Sequence, residues 1–231
     1  MAATVGRFPV SDPVAAGDAL FRLLEALAAE PDPPTTVREP RQALDVHVAD
    51  SLAALELPVV REAARIADIG AGAGFPGLAL AAALPGAQVD LIEATRRKCE
   101  VIDRLAAAAD LDDRARAIPA RAEEWAAAEG RGAYDLVTAR ALAPLAVICE
   151  YAAPLLHVGG SLVAWKGARD ADEETAGSVA AAELGLSSPE RVAATPYSGS
   201  RNRHLYVYSK VMETPSRYPR RPGVAARKPI A

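Results

Sequence analysis

The run Ala67-Asp68-Ile69-Gly70-Ala71-Gly72-Ala73-Gly74-Phe75-Pro76-Gly77 constrains the fold more than any other stretch of the chain. A short apolar segment, Arg65–Ile69, leads straight into three alternating glycines, and Leu78–Leu84 behind them has helical length. Glycine accepts a positive φ and lets ligand atoms approach the backbone closely. The free amides at the start of the following helix favour a negative group. A strand, a glycine loop and a helix in this order belong at the C-terminal end of the first strand of a doubly wound sheet, where such sheets bind ligands.

The rest of the chain agrees with that sheet. Short apolar runs recur at Arg65–Ile69, Gln88–Ile92, Arg116–Pro119, Tyr134–Thr138, Ser161–Trp165, Arg191–Thr195 and His204–Ser209. Helix-length segments at Leu78–Leu84, Thr95–Ala109, Ala122–Ala128 and Leu145–Leu156 separate the first five, the alternation of a mostly parallel α/β sheet covered on both faces. The last two runs lie close together, which predicts an antiparallel member at a sheet edge. Upstream, Ala16, Leu20, Leu23, Leu24 and Leu27 have helical spacing within Pro13–Ala29, which Pro31, Pro33 and Pro34 end. A second helical stretch is expected over Ala43–Leu55. The chain thus divides into a helical cap (1–60), a sheet domain (61–212) and a proline-rich tail (213–231) expected to be extended or mobile.

Charge is unevenly spread. From Arg201 to Ala231 there are eight cations and one acid, whereas the preceding 200 residues carry 18 cations and 29 acids. A basic end on an acidic body suits a polyanionic partner held at one place. Cys99 and Cys149 lack metal-ligand spacing and cannot build a disulfide framework, so a reducing, cytoplasmic compartment is expected. No metal site, membrane span or secretion signal is legible. His47, His157 and His204 are scattered and read as structural or surface groups.

Two cofactor classes fit the glycine loop. Gly72, Gly74 and Gly77 match G-x-G-x-x-G, a weak dinucleotide signal. The other frame begins with the acid Asp68 and continues through Gly70, Gly72 and Gly74, and it resembles the first motif of Rossmann-like methyltransferases. Glu93, at the end of the second strand, suits both ribose hydroxyls of a nucleoside and does not separate the two classes. Arg96, Arg97 and Lys98 open the next helix against its dipole, so some of them, Arg97 in particular, are candidates to meet substrate phosphate.

Further segments carry a more specific resemblance. They are His47-Val48-Ala49-Asp50-Ser51-Leu52, Asp68 through Gly77, Arg97-Lys98, Ala120-Arg121-Ala122-Glu123, Thr138-Ala139-Arg140-Ala141, Lys166-Gly167, Arg201-Asn202-Arg203, Thr214-Pro215 and Tyr218-Pro219-Arg220-Arg221-Pro222-Gly223. In this order they resemble the bacterial 16S ribosomal RNA guanine-N7 methyltransferase family (RsmG/GidB). The resemblance implies a Rossmann-like class I methyltransferase with a seven-stranded sheet and an N-terminal helical cap. It implies transfer of a methyl group from S-adenosylmethionine to nitrogen 7 of guanine 527, on 16S RNA or a small-subunit precursor, by a monomer. Matched motif by motif, Gly70 and Phe75 would contact the cofactor, Ala122 and Glu123 would lie beside adenine and Arg140 would complete the site; Asp68, Gly72, Gly74 and Glu93 join the cofactor candidates on the reading of the glycine loop and the strand end. Arg140, Lys166 and Arg201 would stand on the substrate face as the catalytic candidates. Trp165 departs from the family's smaller aliphatic residue.

The chemistry is consistent with the residues. Guanine N7 offers a lone pair and carries no proton, so no general base is needed. The segment Thr138–Pro144 lacks the Asn/Asp-Pro-Pro-aromatic motif of exocyclic-amine methyltransferases, and Cys149 lacks the Pro-Cys context of cytosine-C5 chemistry. The basic tail would add salt-sensitive phosphate affinity. The competing readings are an NAD-dependent oxidoreductase and a nonenzymatic RNA-binding module.

Overall fold

A computed structural model describes residues 1–37 and 39–231. Seven strands form one sheet: β1 (Arg65–Ile69), β2 (Gln88–Ile92), β3 (Ala115–Ile118), β4 (Tyr134–Arg140), β5 (Leu156–Lys166), β6 (Glu190–Ala194) and β7 (Arg203–Ser209). Their spatial order is β3-β2-β1-β4-β5-β7-β6. The first five are parallel, and β7 runs antiparallel to both β5 and β6. The last two strands form the sheet edge with the antiparallel member expected there: β7 is the reversed strand and β6 lies outermost. The order reverses at β1, whose neighbours are β2 and β4, so the crevice for a ligand opens where β1 ends.

Alternation along each strand feeds two cores. On β7, Leu205 and Val207 join the core on one face, whereas Tyr206 and Tyr208 join the other. Helices α1 (Pro13–Ala29), α2 (Gly77–Ala83) and α3 (Arg96–Ala108) cover the first face. Helices α4 (Ala122–Ala126), α5 (Leu145–Ala152) and α6 (Ala171–Glu183) cover the second. Asp12 caps α1 by accepting from the amides of Val14 (3.1 Å) and Ala15 (3.0 Å), with Pro13 at the first turn. The helix buries Ala16, Leu20, Leu23 and Leu27 against α2 and α3. Arg104 holds Glu30, where α1 ends, by two bonds of 2.9 and 2.8 Å. Helix α2 is buried on every side, and Gly77 at its start has a packing reason: a Cβ there would lie 2.8 Å from Leu91 and 2.9 Å from the Asp68 carboxylate.

Several expected boundaries shift. The helix expected over Ala43–Leu55 is a run of changing pitch: a turn at Pro40–Ala43, a π-helix at Leu44–Ala49, a turn at Asp50–Leu52 and a 3₁₀ turn at Ala53–Glu56. Strand β4 runs two residues further than expected, so Arg140 is the last residue of the strand rather than a loop residue. Strand β5 begins at Leu156, five residues early, and α5 stops at Ala152. The sequence pattern missed α6, because its buried face consists only of Gly177, Ala180 and Ala181 and gives no strong apolar period.

The tail is the largest correction. It is neither extended nor free. Lys210, just before it, is buried and donates to Leu184 O (2.7 Å) and to Thr214. Tyr218 is buried, Arg131 donates to its carbonyl oxygen (3.0 Å), and the chain ends near a short helix α7 (Val224–Arg227) whose Ala225 packs inside. Composition could not show this, since the acids that receive the tail's cations belong to distant helices: Arg217 pairs with Glu183 and Arg220 with Glu150.

Candidate functional site

At the C-terminal ends of β1, β2 and β4 the chain encloses a cleft of about 480 Å³. Its walls include Gly70, Gly72, Phe75, Glu93, Ala122, Glu123 and Arg140, residues drawn from separate segments of the chain. Gly70 must be glycine: its φ is +65°, and a Cβ would sit 2.4 Å from the Leu142 side chain. Glu93 is buried. Its carboxylate accepts from the Thr95 amide (2.8 Å) and the Gly72 amide (3.1 Å), so the strand-end acid and the glycine loop are tied together. The Lys98 ammonium stands 3.9 Å away, on the cleft wall.

Two residues expected on this wall lie beneath it. Asp68 is fully buried and holds the loop from below, accepting from the Gly77 amide (2.9 Å) and the Thr138 hydroxyl (2.9 Å). Burial pushes its carboxyl up to about 6, although the Gly77 amide, the Thr138 hydroxyl and the Arg140 charge all pull the other way. Gly74 packs inward against Leu78 and does not line this cleft.

The N-terminal π-helix supplies a partner whose place beside the glycine loop the sequence did not show, although it was read as a structural or surface group. His47 is buried and stacks on Phe75 of the glycine loop, ring centroids 4.7 Å apart. Arg140 Nη2 lies 3.4 Å from His47 Nδ1, and Thr35 Oγ1 lies 3.0 Å from Nε2. A guanidinium only donates, so this geometry assigns Nδ1 as acceptor and puts the proton on Nε2. Burial first, and the Arg140 charge second, pull the imidazole down to about 4. His47 is therefore neutral at physiological pH.

A second cavity of about 370 Å³ adjoins the first and shares Thr35, His47, Arg140 and Ala141 with it. Lys166, Trp165, Asp50, Arg203 and His204 are among the other residues of its lining. Arg140 stands at the seam, donating to Val46 O (2.7 Å) and Asp50 Oδ2 (3.1 Å). Arg203 lies 3.5 Å from the other Asp50 oxygen, and its Nε has no hydrogen-bond partner among the described residues. Trp165 donates to Asp50 O (2.9 Å), which gives the large side chain a partner at the strand end.

The other expected residues fall less neatly. Lys166 faces this second cavity, yet it pairs with Glu173 (2.5 Å) and donates to Ala143 O (3.3 Å). Arg201 is exposed and lines neither cavity. Arg97 pairs with Asp32 rather than standing open to a phosphate. Asp50 and Arg203 lay inside matched motifs, but nothing local marked them as neighbours of Arg140, since they meet it only across the fold.

No set of three or more His, Cys, Asp or Glu side chains among the described residues is placed to hold a metal ion. No described helix is long and apolar enough to cross a membrane. The cleft volume lies within the range of about 300–1,000 Å³ found for small-molecule sites. A glycine loop, a strand-end acid and a small-residue wall at Ala122 fit a nucleoside. With the reversed β7 in the sheet, they define the S-adenosylmethionine-dependent methyltransferase class. Solved structures agree at the level of fold. A SAM-dependent O-methyltransferase from Thermotoga maritima superposes with a TM-score of 0.59 at 14% identity, covering 83% of this chain and 72% of that one. Fibrillarin, a pre-rRNA processing protein from Methanococcus jannaschii, gives 0.53 at 15% identity, over 70% and 74%.

The sequence itself is more specific. Residues 34–205 match the family model GidB, rRNA small subunit methyltransferase G. A ribosomal RNA small subunit methyltransferase G from Rubrobacter xylanophilus is 42% identical over 197 residues, 84% of this chain and 75% of that protein. The protein of the same name from Pelotomaculum thermopropionicum is 37% identical over 202 residues, 85% and 82% of the two chains. The chain belongs to the rRNA small subunit methyltransferase G family, which sets aside the dinucleotide and nonenzymatic alternatives.

Proposed function

We propose that the protein methylates nitrogen 7 of guanine 527 in the RNA of the small ribosomal subunit. The observation that carries this reading is the pair of adjoining cavities with Arg140 at their seam, one lined by the glycine loop and Glu93, the other by cations and Trp165. Bound in the first, S-adenosylmethionine supplies an electrophilic methyl group on a sulfonium.

The chain's own residues would act chiefly by placement. Gly70 and Gly72 leave room at the backbone, Glu93 accepts from ribose hydroxyls, and Ala122 and Glu123 flank the adenine. In the second cavity Arg203 and Lys166 offer charge to the phosphates of an extruded nucleotide, and Trp165 offers it an apolar wall. Guanine N7 would take the methyl group through its own lone pair and carries no proton, so the chain need supply no base. The site suits that demand. His47 is neutral, stacked and hydrogen-bonded on both nitrogens, placed to orient Phe75 and Arg140 rather than to take a proton. Catalysis is then mainly in-line positioning.

The cations left exposed and without an acid partner among the described residues, Arg201, Arg221, Arg227 and Lys228, are the part of the basic segment available to RNA phosphates. Calorimetric titration tests the cleft. S-adenosylhomocysteine should bind, NADH should not, and Glu93→Gln should weaken the first. Binding of NADH in its place would refute the assignment.

A further inference from the structure

We propose that the C-terminal segment 220–231 is a positioning element for the cofactor cleft, holding its adenine wall from outside through Arg220 and the Gly223 amide. The inference rests on the cleft being the S-adenosylmethionine site.

Two carboxylates stand at this end of the cleft, Glu123 on α4 and Glu150 on α5, with Tyr151 beside them on the cleft wall. Both are buried. The Tyr151 phenol is raised by burial first and then by the charges of Glu123 and Glu150, which places all three groups in one electrostatic neighbourhood. Buried carboxylates need partners, because each charge would otherwise be left desolvated. The C-terminal segment supplies both. Arg220 meets Glu150 by two bonds, Nε to Oε1 at 2.7 Å and Nη2 to Oε2 at 2.5 Å, and also donates to Lys228 O (2.9 Å). The Gly223 amide donates to Glu123 Oε1 at 2.8 Å.

The segment is shaped for this. Gly223 has a φ of +77° at the start of α7, a conformation open to glycine and strained for other residues, and that turn aims its amide at Glu123. Nothing lies within 4 Å of the position a Cβ would take, so the conformation, not crowding, accounts for the glycine. Tyr218 anchors the approach, with the Arg217 and Arg220 guanidinium groups 5.2 and 5.9 Å from its ring centre. Gly223 is the hydrogen-bond donor that the Glu123 side chain meets among the described residues, and Glu123 Oε2 has no such partner there. A carboxylate fixed by one oxygen leaves the other to accept from an exocyclic amino group. Without the amide, Glu123 would lose its orientation toward the cleft. Without Arg220, Glu150 would be a bare buried charge next to Tyr151. Part of the basic tail is thereby committed to the nucleoside rather than to RNA.

The test uses the full chain, Arg220→Gln, Arg220→Lys and a version ending at Pro222, which keeps Tyr218 and Arg220 and removes the Gly223 amide. Circular dichroism first establishes a temperature at which each is folded. At that temperature the S-adenosylhomocysteine Kd should rise about ten-fold in Arg220→Gln and in the shortened chain, the scale of removing one charge-assisted hydrogen bond. Arg220→Lys should fall between. KM for S-adenosylmethionine should rise with kcat nearly held, and amide exchange over Ala122–Ala126 should quicken. Folded variants that bind the nucleoside as tightly as the full chain would overturn the inference while leaving the cleft assignment intact. A full-length protein that binds no S-adenosylhomocysteine would instead overturn the cleft assignment, and the inference with it.

Discussion

His47 stacks on Phe75 with their planes within 12° of parallel, so the N-terminal helical run is fastened to the glycine loop by an aromatic pair. Burial and the neighbouring Arg140 charge keep the stacked imidazole neutral. The consequence is a pH-dependent stability. Unfolded, His47 takes a proton near 6.5; folded, it resists until about 4. Acidification through that window favours the unfolded chain, by about 3 kcal/mol at its full extent. His47→Gln should remove this loss. Denaturation midpoints at pH 4 and pH 7 would show it as a smaller acid penalty than in the parent protein.

Asp68 contributes with the opposite sign. Its folded carboxyl is pushed up to about 6, above its ordinary 3.8, so the folded state takes the proton first. Acidification from 6 to 3.8 favours the fold, by about 3 kcal/mol, and the benefit is lost as pH rises through 6. Asp68→Asn should therefore steepen the acid penalty that His47→Gln relieves. The same two-pH comparison checks it; equal pH dependence in both variants would contradict the opposing roles.

The glycine loop was legible because its signal is local: the strand, the positive-φ residues and the helix start are consecutive, and Glu93 follows one unit later. The second cavity was not. Asp50 and Arg140 are 90 positions apart, and Arg203 is a further 63, so no spacing rule joins them. The basic tail misled for the same reason. Its composition is that of a mobile arm, and only the fold shows Glu150 and Glu183 waiting for Arg220 and Arg217. His47 was read as a structural or surface group, and of these it is the structural one; the π-turn that aims it inward leaves no sequence period to decide between them.

Gly70→Ala should separate loop geometry from cleft chemistry. The added methyl meets Leu142 and the φ of +65° is strained for alanine, at a cost of about 1–3 kcal/mol. Nucleoside affinity should fall by an order of magnitude or more, read by calorimetry. Adding Leu142→Ala relieves the clash but not the backbone strain, so affinity should recover only in part.

Arg140→Met takes from Asp50, buried at the seam of the cavities, its 3.1 Å partner and leaves it only the longer 3.5 Å contact with Arg203. Removing one partner from a buried pair costs about 3 kcal/mol. Combining it with Asp50→Asn should recover a sizeable part, so a double-mutant cycle by chemical denaturation should give a coupling energy well above zero. Additive losses would mean the pair is not coupled.

Arg221, Arg227 and Lys228 are exposed and lack acid partners among the described residues. If they meet phosphates, replacing all three by Gln should lower the slope of log K against log salt by roughly 0.7 for each phosphate no longer neutralised, since fewer counterions are released from single-stranded RNA. Filter binding between low and moderate salt measures it.

The central claim concerns where one methyl group goes. Small-subunit RNA incubated with the purified protein and isotopically labelled S-adenosylmethionine, then digested and mapped by mass spectrometry, should carry the label as 7-methylguanosine at guanine 527. Label on another atom or another nucleotide, or none on the RNA, would contradict the account.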